Sequence, residues 1–128
     1  MHKISIENKN ILGLIFGTGV GCGLIMNGNL IKNCEIHKYL ESYMKKNRLT
    51  EENIKEVTKF IGDELSKVIE LLNLNIIVIN GYVNKFDKFE EFLINNLKCN
   101  LYYKPKVIIS KSKNSNIYGM LRSEDASK

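Results

Sequence analysis

The chain has 128 residues, room for one domain with a hydrophobic core and too few for two. Hydrophobic residues make up 44% and charged residues 26%, and no Pro-, Gln- or Ser/Gly-rich tract interrupts them, which excludes a disordered arm and points to a folded, soluble protein. The net charge of +5 comes from lysines scattered from Lys3 to Lys128 among acids such as Glu51, Glu52, Glu56, Asp63 and Glu64, so no nucleic acid is expected as partner; the nearest thing to a basic stripe, Lys104, Lys106, Lys111 and Lys113, reads as a solvated surface.

In chain order, residues 1–10 are polar and predict a loose lead-in or a short strand. Ile11 to Phe16 is a continuous apolar run stopped by Gly17, the pattern of a buried strand. Val20 to Met26 resumes it. Asn27-Gly28-Asn29 then supplies residues that tolerate positive φ in a tight hairpin, and Leu30-Ile31 starts a third strand. The stretch from Ile11 to Met26 carries no charge over 16 residues, but it is shorter than the roughly 18–20 residues that span a bilayer and five of its residues are glycine, so neither a membrane span nor a secretion signal is expected.

Cys34 to Asn47 predicts a short helix with Tyr39, Leu40, Tyr43 and Met44 on its apolar side. From Thr50 onward Ile54, Val57, Ile61, Leu65, Val68, Ile69 and Leu72 recur at steps of three and four, the spacing of one helical face. Thr50 is placed to cap that helix, and Glu51 and Glu52 fall in its first turn, where the helix dipole favours negative charge. Ile76-Ile77-Val78-Ile79 reads as a fully buried parallel strand ending at Asn80-Gly81. Phe86, Phe89, Leu93 and Leu97 trace another amphipathic helix, and Val107-Ile108-Ile109 a second buried strand, with Pro105 just ahead of it where a missing N–H does least harm. Residues 115–121 read as a closing helix and 122–128 as a frayed tail. The whole is a single α/β domain over 1–128, ordered βββαβαβα, with a mixed sheet and flanking helices.

Cys22, Cys34 and Cys99 are an odd number at unrelated spacings, which fits a reducing cytoplasm better than a disulfide framework. Cys34 and His37 offer two metal ligands where a structural zinc site takes four, so no zinc is expected.

The segment with chemical content is Gly17-Thr18-Gly19-Val20-Gly21-Cys22-Gly23. Alternate glycines at a turn between strands permit positive φ and leave no Cβ between the backbone N–H groups and a phosphate oxygen, and Thr18 adds a hydroxyl donor. Gly17, Thr18, Gly19 and Gly21 are therefore the candidate phosphate-binding residues; without a ligand the same run is a bare glycine-rich hairpin. Neither the dinucleotide fingerprint nor a P-loop can be read here.

The run GTGVGCGLIMNGNLIKN closely resembles the second phosphate-binding hairpin of sugar kinases of the ROK type (repressor, open reading frame, kinase). Asp63 to Asn80 is similar to that family's long helix and the strand leading to its adenosine-binding glycines, and Ile117 to Leu121 resembles its closing helix. The resemblance spans residues 11–121, with strong motif content confined to Gly17 to Leu30. It implies one lobe of the ribonuclease-H-like (actin-like ATPase) fold, a cytoplasmic protein, ATP or ADP with Mg²⁺ as ligand, and Asn80, Gly81 and Tyr82 on the adenosine side, where only the middle glycine is kept and the tyrosine ring either stacks on adenine or obstructs it. The family's catalytic aspartate and first lobe have no counterpart, since residues 1–10 hold only Glu7, and no catalytic residue is named. Glu35-Ile36-His37 alone stands where the family has a Glu-Ile-Gly-His segment and a zinc-bound cysteine cluster, and His37 reads as a surface or helix-start residue. The resemblance thus implies a glucokinase-like protein reduced to its nucleotide-binding C-terminal half, inactive without a separately encoded N-terminal lobe. The alternative is a non-catalytic nucleotide-sensing or partner-binding module derived from a ROK repressor. A lobe without its partner exposes an apolar face, so homo-oligomers are a further expectation.

Overall fold

A computed structural model describes residues 9–31, 34–98 and 104–110. The element order is β1 (Ile11–Phe16), β2 (Val20–Met26), β3 (Asn29–Ile31), α1 (Lys38–Lys46), α2 (Ile54–Leu72), β4 (Ile76–Gly81), a 3₁₀ turn (Tyr82–Lys85), α3 (Phe89–Asn95) and β5 (Lys106–Ile109). The strands form one mixed sheet in the order β3-β2-β1-β4-β5, antiparallel from β3 to β1 and parallel from β1 to β5. The apolar run with glycines from Ile11 to Met26 is thus a hairpin in the sheet, and no helix among the described residues is long and apolar enough to cross a membrane. The closing helix expected over 115–121 and the frayed tail after it lie outside the described residues.

Side chains alternate across the strands, so the sheet has two apolar faces. Leu12, Leu14, Phe16, Ile77 and Ile79 belong to the main core, where they meet Leu40 and Met44 of α1, the Ile54-Val57-Ile61-Leu65-Ile69 stripe of α2, and Phe89 and Leu93 of α3. Ile11, Ile25 and Val78 form a smaller buried cluster on the other face. Burying each such aliphatic side chain is worth about 1.5–3 kcal/mol, and together they fix the register of β1 against β4.

The ends of the elements follow from local chemistry. At the β2–β3 turn Asn27 and Gly28 have φ of 51° and 83°, the pair of positive values that the Asn-Gly sequence predicts. The α1 helix begins at Lys38 rather than Cys34, because Cys34 is drawn to β2, where its carbonyl accepts the Cys22 thiol at 3.5 Å. Ahead of α2, Thr50 Oγ1 accepts the Asn53 N–H at 3.2 Å and Asn53 Oδ1 accepts the Thr50 N–H at 2.7 Å. This reciprocal pair caps a turn over 51–53, and the regular helix starts after it, at Ile54. At its other end Asn73 takes a left-handed conformation (φ 50°) and Leu74 N–H returns to the Ile69 carbonyl at 3.2 Å, closing the helix as glycine usually does.

Asn10, at the end of the expected lead-in, is a fixed joint. Its Nδ2 donates to the carbonyls of Leu72 and Asn73 at 3.0 and 3.1 Å, and its Oδ1 accepts the Asn27 N–H at 2.7 Å, tying the C-terminus of α2 to the β2–β3 turn.

Candidate nucleotide site

The β1–β2 hairpin ends in the turn Gly17-Thr18-Gly19, between the paired residues Phe16 and Val20. Gly17 and Thr18 are exposed, while Val20 is buried. The Gly17 N–H donates to the Gly19 carbonyl at 2.8 Å, and the Val20 N–H to the Glu41 carboxylate at 3.1 Å. Among the described residues the Thr18 and Gly19 amides have no hydrogen-bonded partner, so two donors at the tip are left unused. None of Gly17, Gly19 and Gly21 lies in the left-handed region of φ. The expectation that these glycines serve positive φ is corrected accordingly: an ordinary hairpin path is enough, and a Cβ at Gly17 or Gly21 would meet nothing within 4 Å. What the absent side chains leave is access to the amides.

The two sets of residues singled out in the sequence come together only in part. Parallel pairing sets Gly81 opposite Phe16 and Asn80 opposite Ile15, so the end of β4 lies beside the base of the glycine turn. Gly81 has φ 116° and ψ −166°, a conformation open to glycine alone, and a Cβ there would overlap the Phe16 carbonyl. Its N–H donates to Asn80 Oδ1 at 2.7 Å. Tyr82 lines the same crevice as Gly17, Thr18 and Gly19, but Gly21, opposite Ile15 in the hairpin ladder, lies outside it.

Tyr82 is engaged on two sides. Its hydroxyl accepts the Leu49 N–H at 3.1 Å, and the Arg48 guanidinium lies 3.9 Å from the ring centroid. A base stacking on the crevice side of this ring must therefore compete with Arg48.

Sequence reasoning did not find the residues that α1, and Arg48 just after it, bring to the turn. Glu41, Met44, Lys45 and Arg48 line the crevice with the glycines, and Lys45 Nζ stands 3.6 Å from Glu41 Oε1. Their spacing of three and four marks one helical side, but nothing local says which strand end that side meets. The Glu41 carboxyl is held below the usual glutamate range, first by the Val20 N–H, then by Lys45 and His37, against a partial loss of solvation. The free space enclosed is only about 20 Å³, one water's worth, whereas small-molecule sites run to roughly 300–1,000 Å³. A ligand at this turn can place a phosphoryl oxygen there and little more, and the rest of any nucleotide lies beyond the crevice. Larger hollows of about 460 and 480 Å³ lie away from the turn, one along α2 lined by Ser66, Lys67 and Lys98 among acids, the other beside Tyr39 and Tyr43.

Cys34 and His37 have a third neighbour that the sequence did not reveal. Cys22 Sγ lies 3.6 Å from Cys34 Sγ and 3.3 Å from His37 Nδ1. Burial pushes the Cys22 thiol up to about 11, with a further rise from Cys34. Among the described residues no group of three or more His, Cys, Asp or Glu side chains is arranged to hold a metal ion.

Solved structures that share this arrangement of strands and helices include sugar kinases and a ROK family transcriptional regulator. A ROK hexokinase from Thermus thermophilus superposes with a TM-score of 0.62 at 13% identity, over 89% of this chain and 57% of its own. The chain shares its fold with part of these structures. The inorganic polyphosphate/ATP-glucomannokinase of Arthrobacter sp. strain KM matches with a TM-score of 0.60 at 17% identity, over 94% of this chain and 48% of its own. A ROK glucokinase from Streptomyces griseus, solved with glucose and AMPPNP, matches with a TM-score of 0.55 at 10% identity, over 80% of this chain and 55% of its own. The chain thus spans about half the length of these ROK structures. No protein-family model matches the sequence, and no curated protein matches it by sequence. Within this fold the glycine turn caps the β1–β2 hairpin and Gly81 ends the adjacent parallel strand.

Proposed function

We propose that this chain is the nucleotide-binding lobe of a ROK-type sugar kinase, taking the phosphate end of ATP or ADP on the amides of the glycine turn, and that it transfers no phosphoryl group by itself. The observation that carries this reading is the pair of open amides, Thr18 and Gly19, at the tip of a hairpin whose base adjoins Gly81 and Tyr82. Lys45 and Arg48 add cationic donors at the same place, so the residues fit a phosphoryl oxygen better than a bare cation. Mg²⁺ is accordingly expected to arrive on the nucleotide's own phosphates.

Sugar phosphorylation also needs a carboxylate that accepts the proton of the attacking hydroxyl. Among the described residues the only carboxylate lining the crevice is that of Glu41, and its bonds to Val20 N–H and Lys45 make it a weak base. Catalysis therefore requires a base and a sugar pocket from a further lobe, whether on another chain or elsewhere in the same protein. That the turn's own anion partner is Glu41 favours, as a second reading, a nucleotide-sensing or partner-binding role without catalysis.

Thermal unfolding with ADP and Mg²⁺ tests the binding claim. At 100 times its dissociation constant a ligand stabilises by about 2.7 kcal/mol, and Gly17→Val, whose Cβ meets nothing within 4 Å but whose branched side chain crowds the approach to the amides, should abolish the shift. A stabilisation that survives Gly17→Val in a folded variant counts against the turn as the site.

A further inference from the structure

The carboxylate of Glu41 lies against the glycine turn. Its Oε2 accepts the Val20 N–H at 3.1 Å and lies 2.9 Å from the position a Cβ on Gly19 would take, so it sits directly against the glycine turn. Its Oε1 is 3.6 Å from Lys45 Nζ, and Arg48 lies along the same crevice. The placement is built into the fold, because Leu40 and Met44 anchor α1 in the main core and hold the intervening helical turn against the start of β2. An oxyanion bonded to a backbone amide and flanked by cations is the arrangement a bound phosphate also adopts. The lowered pKa of the carboxyl agrees with a fixed anion that gains from these partners.

We propose that Glu41 is an internal competitor for the phosphate site: the chain fills the Val20 amide with its own carboxylate, so that nucleotide binding is an exchange of one anion for another, and Glu41 determines which anions the turn accepts. This rests on the nucleotide reading given above. A monoanion that offers one oxygen gains nothing over Glu41, which is tethered and already in place. A diphosphate or triphosphate can engage the Thr18 and Gly19 amides together with Lys45 and Arg48, and so repays displacement of the side chain. The groups facing Glu41 are Val20, Lys45, Arg48 and Tyr82 in the crevice and His37 one turn earlier on the helix. Removing the carboxylate therefore takes away the acidic partner that the described residues give Lys45 in the crevice and raises the positive potential at the turn.

Two measurements on the wild-type chain, Glu41→Gln and Glu41→Ala test the proposal. In calorimetric titrations with ADP and Mg²⁺, Glu41→Ala should bind roughly tenfold to a hundredfold more tightly than wild type, the size expected for losing a competing charge-assisted hydrogen bond. Glu41→Gln, equal in volume but uncharged, should gain most of that factor, which separates charge from space. In ¹⁵N–¹H spectra the Val20 amide of the wild type should follow the ionisation of the carboxylate as acid is added, and in Glu41→Gln it should not. If wild type binds ADP and neither variant binds it more tightly, the competitor idea fails while the nucleotide reading stands. If no form of the protein binds ADP, both fail together. A Val20 amide that is indifferent to acid and to Glu41→Gln removes the contact itself and overturns the proposal.

Discussion

Gly81→Ala perturbs the joint between β1 and β4, on which the position of the glycine turn depends. Gly81 has φ 116° and ψ −166°, and a Cβ built there overlaps the backbone of Phe16, its partner in the parallel ladder. An alanine forced into this conformation costs about 1–3 kcal/mol. The overlap adds about 1–3 kcal/mol more, because Phe16 and Val83 are fully packed and the backbone can yield only by separating the central strands. The sum of about 2–6 kcal/mol is a large fraction of a total stability of about 5–15 kcal/mol. At about 4 °C per kcal/mol the melting temperature should fall by about 8–24 °C. Urea and thermal unfolding followed by far-UV circular dichroism measure this, with Gly17→Ala as control: a Cβ there meets nothing within 4 Å, so a change within about 0.5 kcal/mol is expected. If Gly81→Ala loses less than about 1 kcal/mol, the pairing of Gly81 with Phe16 is wrong, and with it the approach of the two halves of the site.

Asn10→Ala removes side-chain bonds to Leu72, Asn73 and Asn27, and should cost about 2 kcal/mol in the same unfolding assay. Cys22, whose thiol is pushed up to about 11 by burial, should react with iodoacetamide near neutral pH roughly a hundredfold more slowly in the folded protein than in urea, read by mass spectrometry of the labelled peptide. The lowered Glu41 pKa has a definite sign: the contact with Val20 stabilises the folded chain above the unfolded pKa, and that contribution is lost as pH falls through the lower folded value. Glu41→Gln should therefore flatten the acid side of the stability profile, measured as urea midpoints across a pH series.

What could be read from the residues was what periodicity and local chemistry control. The buried strands Ile11–Phe16 and Ile76–Gly81, the α2 stripe and the Asn27-Gly28 turn each announce themselves within a few residues. Gly81 was singled out through the family resemblance as an adenosine-side residue, but the conformational need for a glycine there was not legible. It arises from a carbonyl 65 residues away, brought close by the β1–β4 register. Glu41 was hidden for the same reason, since a glutamate on a short helix has no local mark that its carboxylate will land on a turn 21 residues earlier. Cys22, read as one odd cysteine, joins Cys34 and His37 only because the chain doubles back from β3 into α1. Thr50 shows an intermediate case: the cap was visible in the sequence, whereas the reciprocal bond from Asn53, and the turn it inserts before the helix, were not.

The claim that bears the most weight is that the amides of the glycine turn receive a phosphoryl oxygen. Titrating ¹⁵N-labelled protein with ADP and Mg²⁺ and following each backbone amide addresses it residue by residue. The account predicts that Thr18, Gly19 and Val20 move together and most strongly, with Gly81 and Tyr82 following. Shifts centred elsewhere on the domain, with these three amides unmoved at saturation, contradict it.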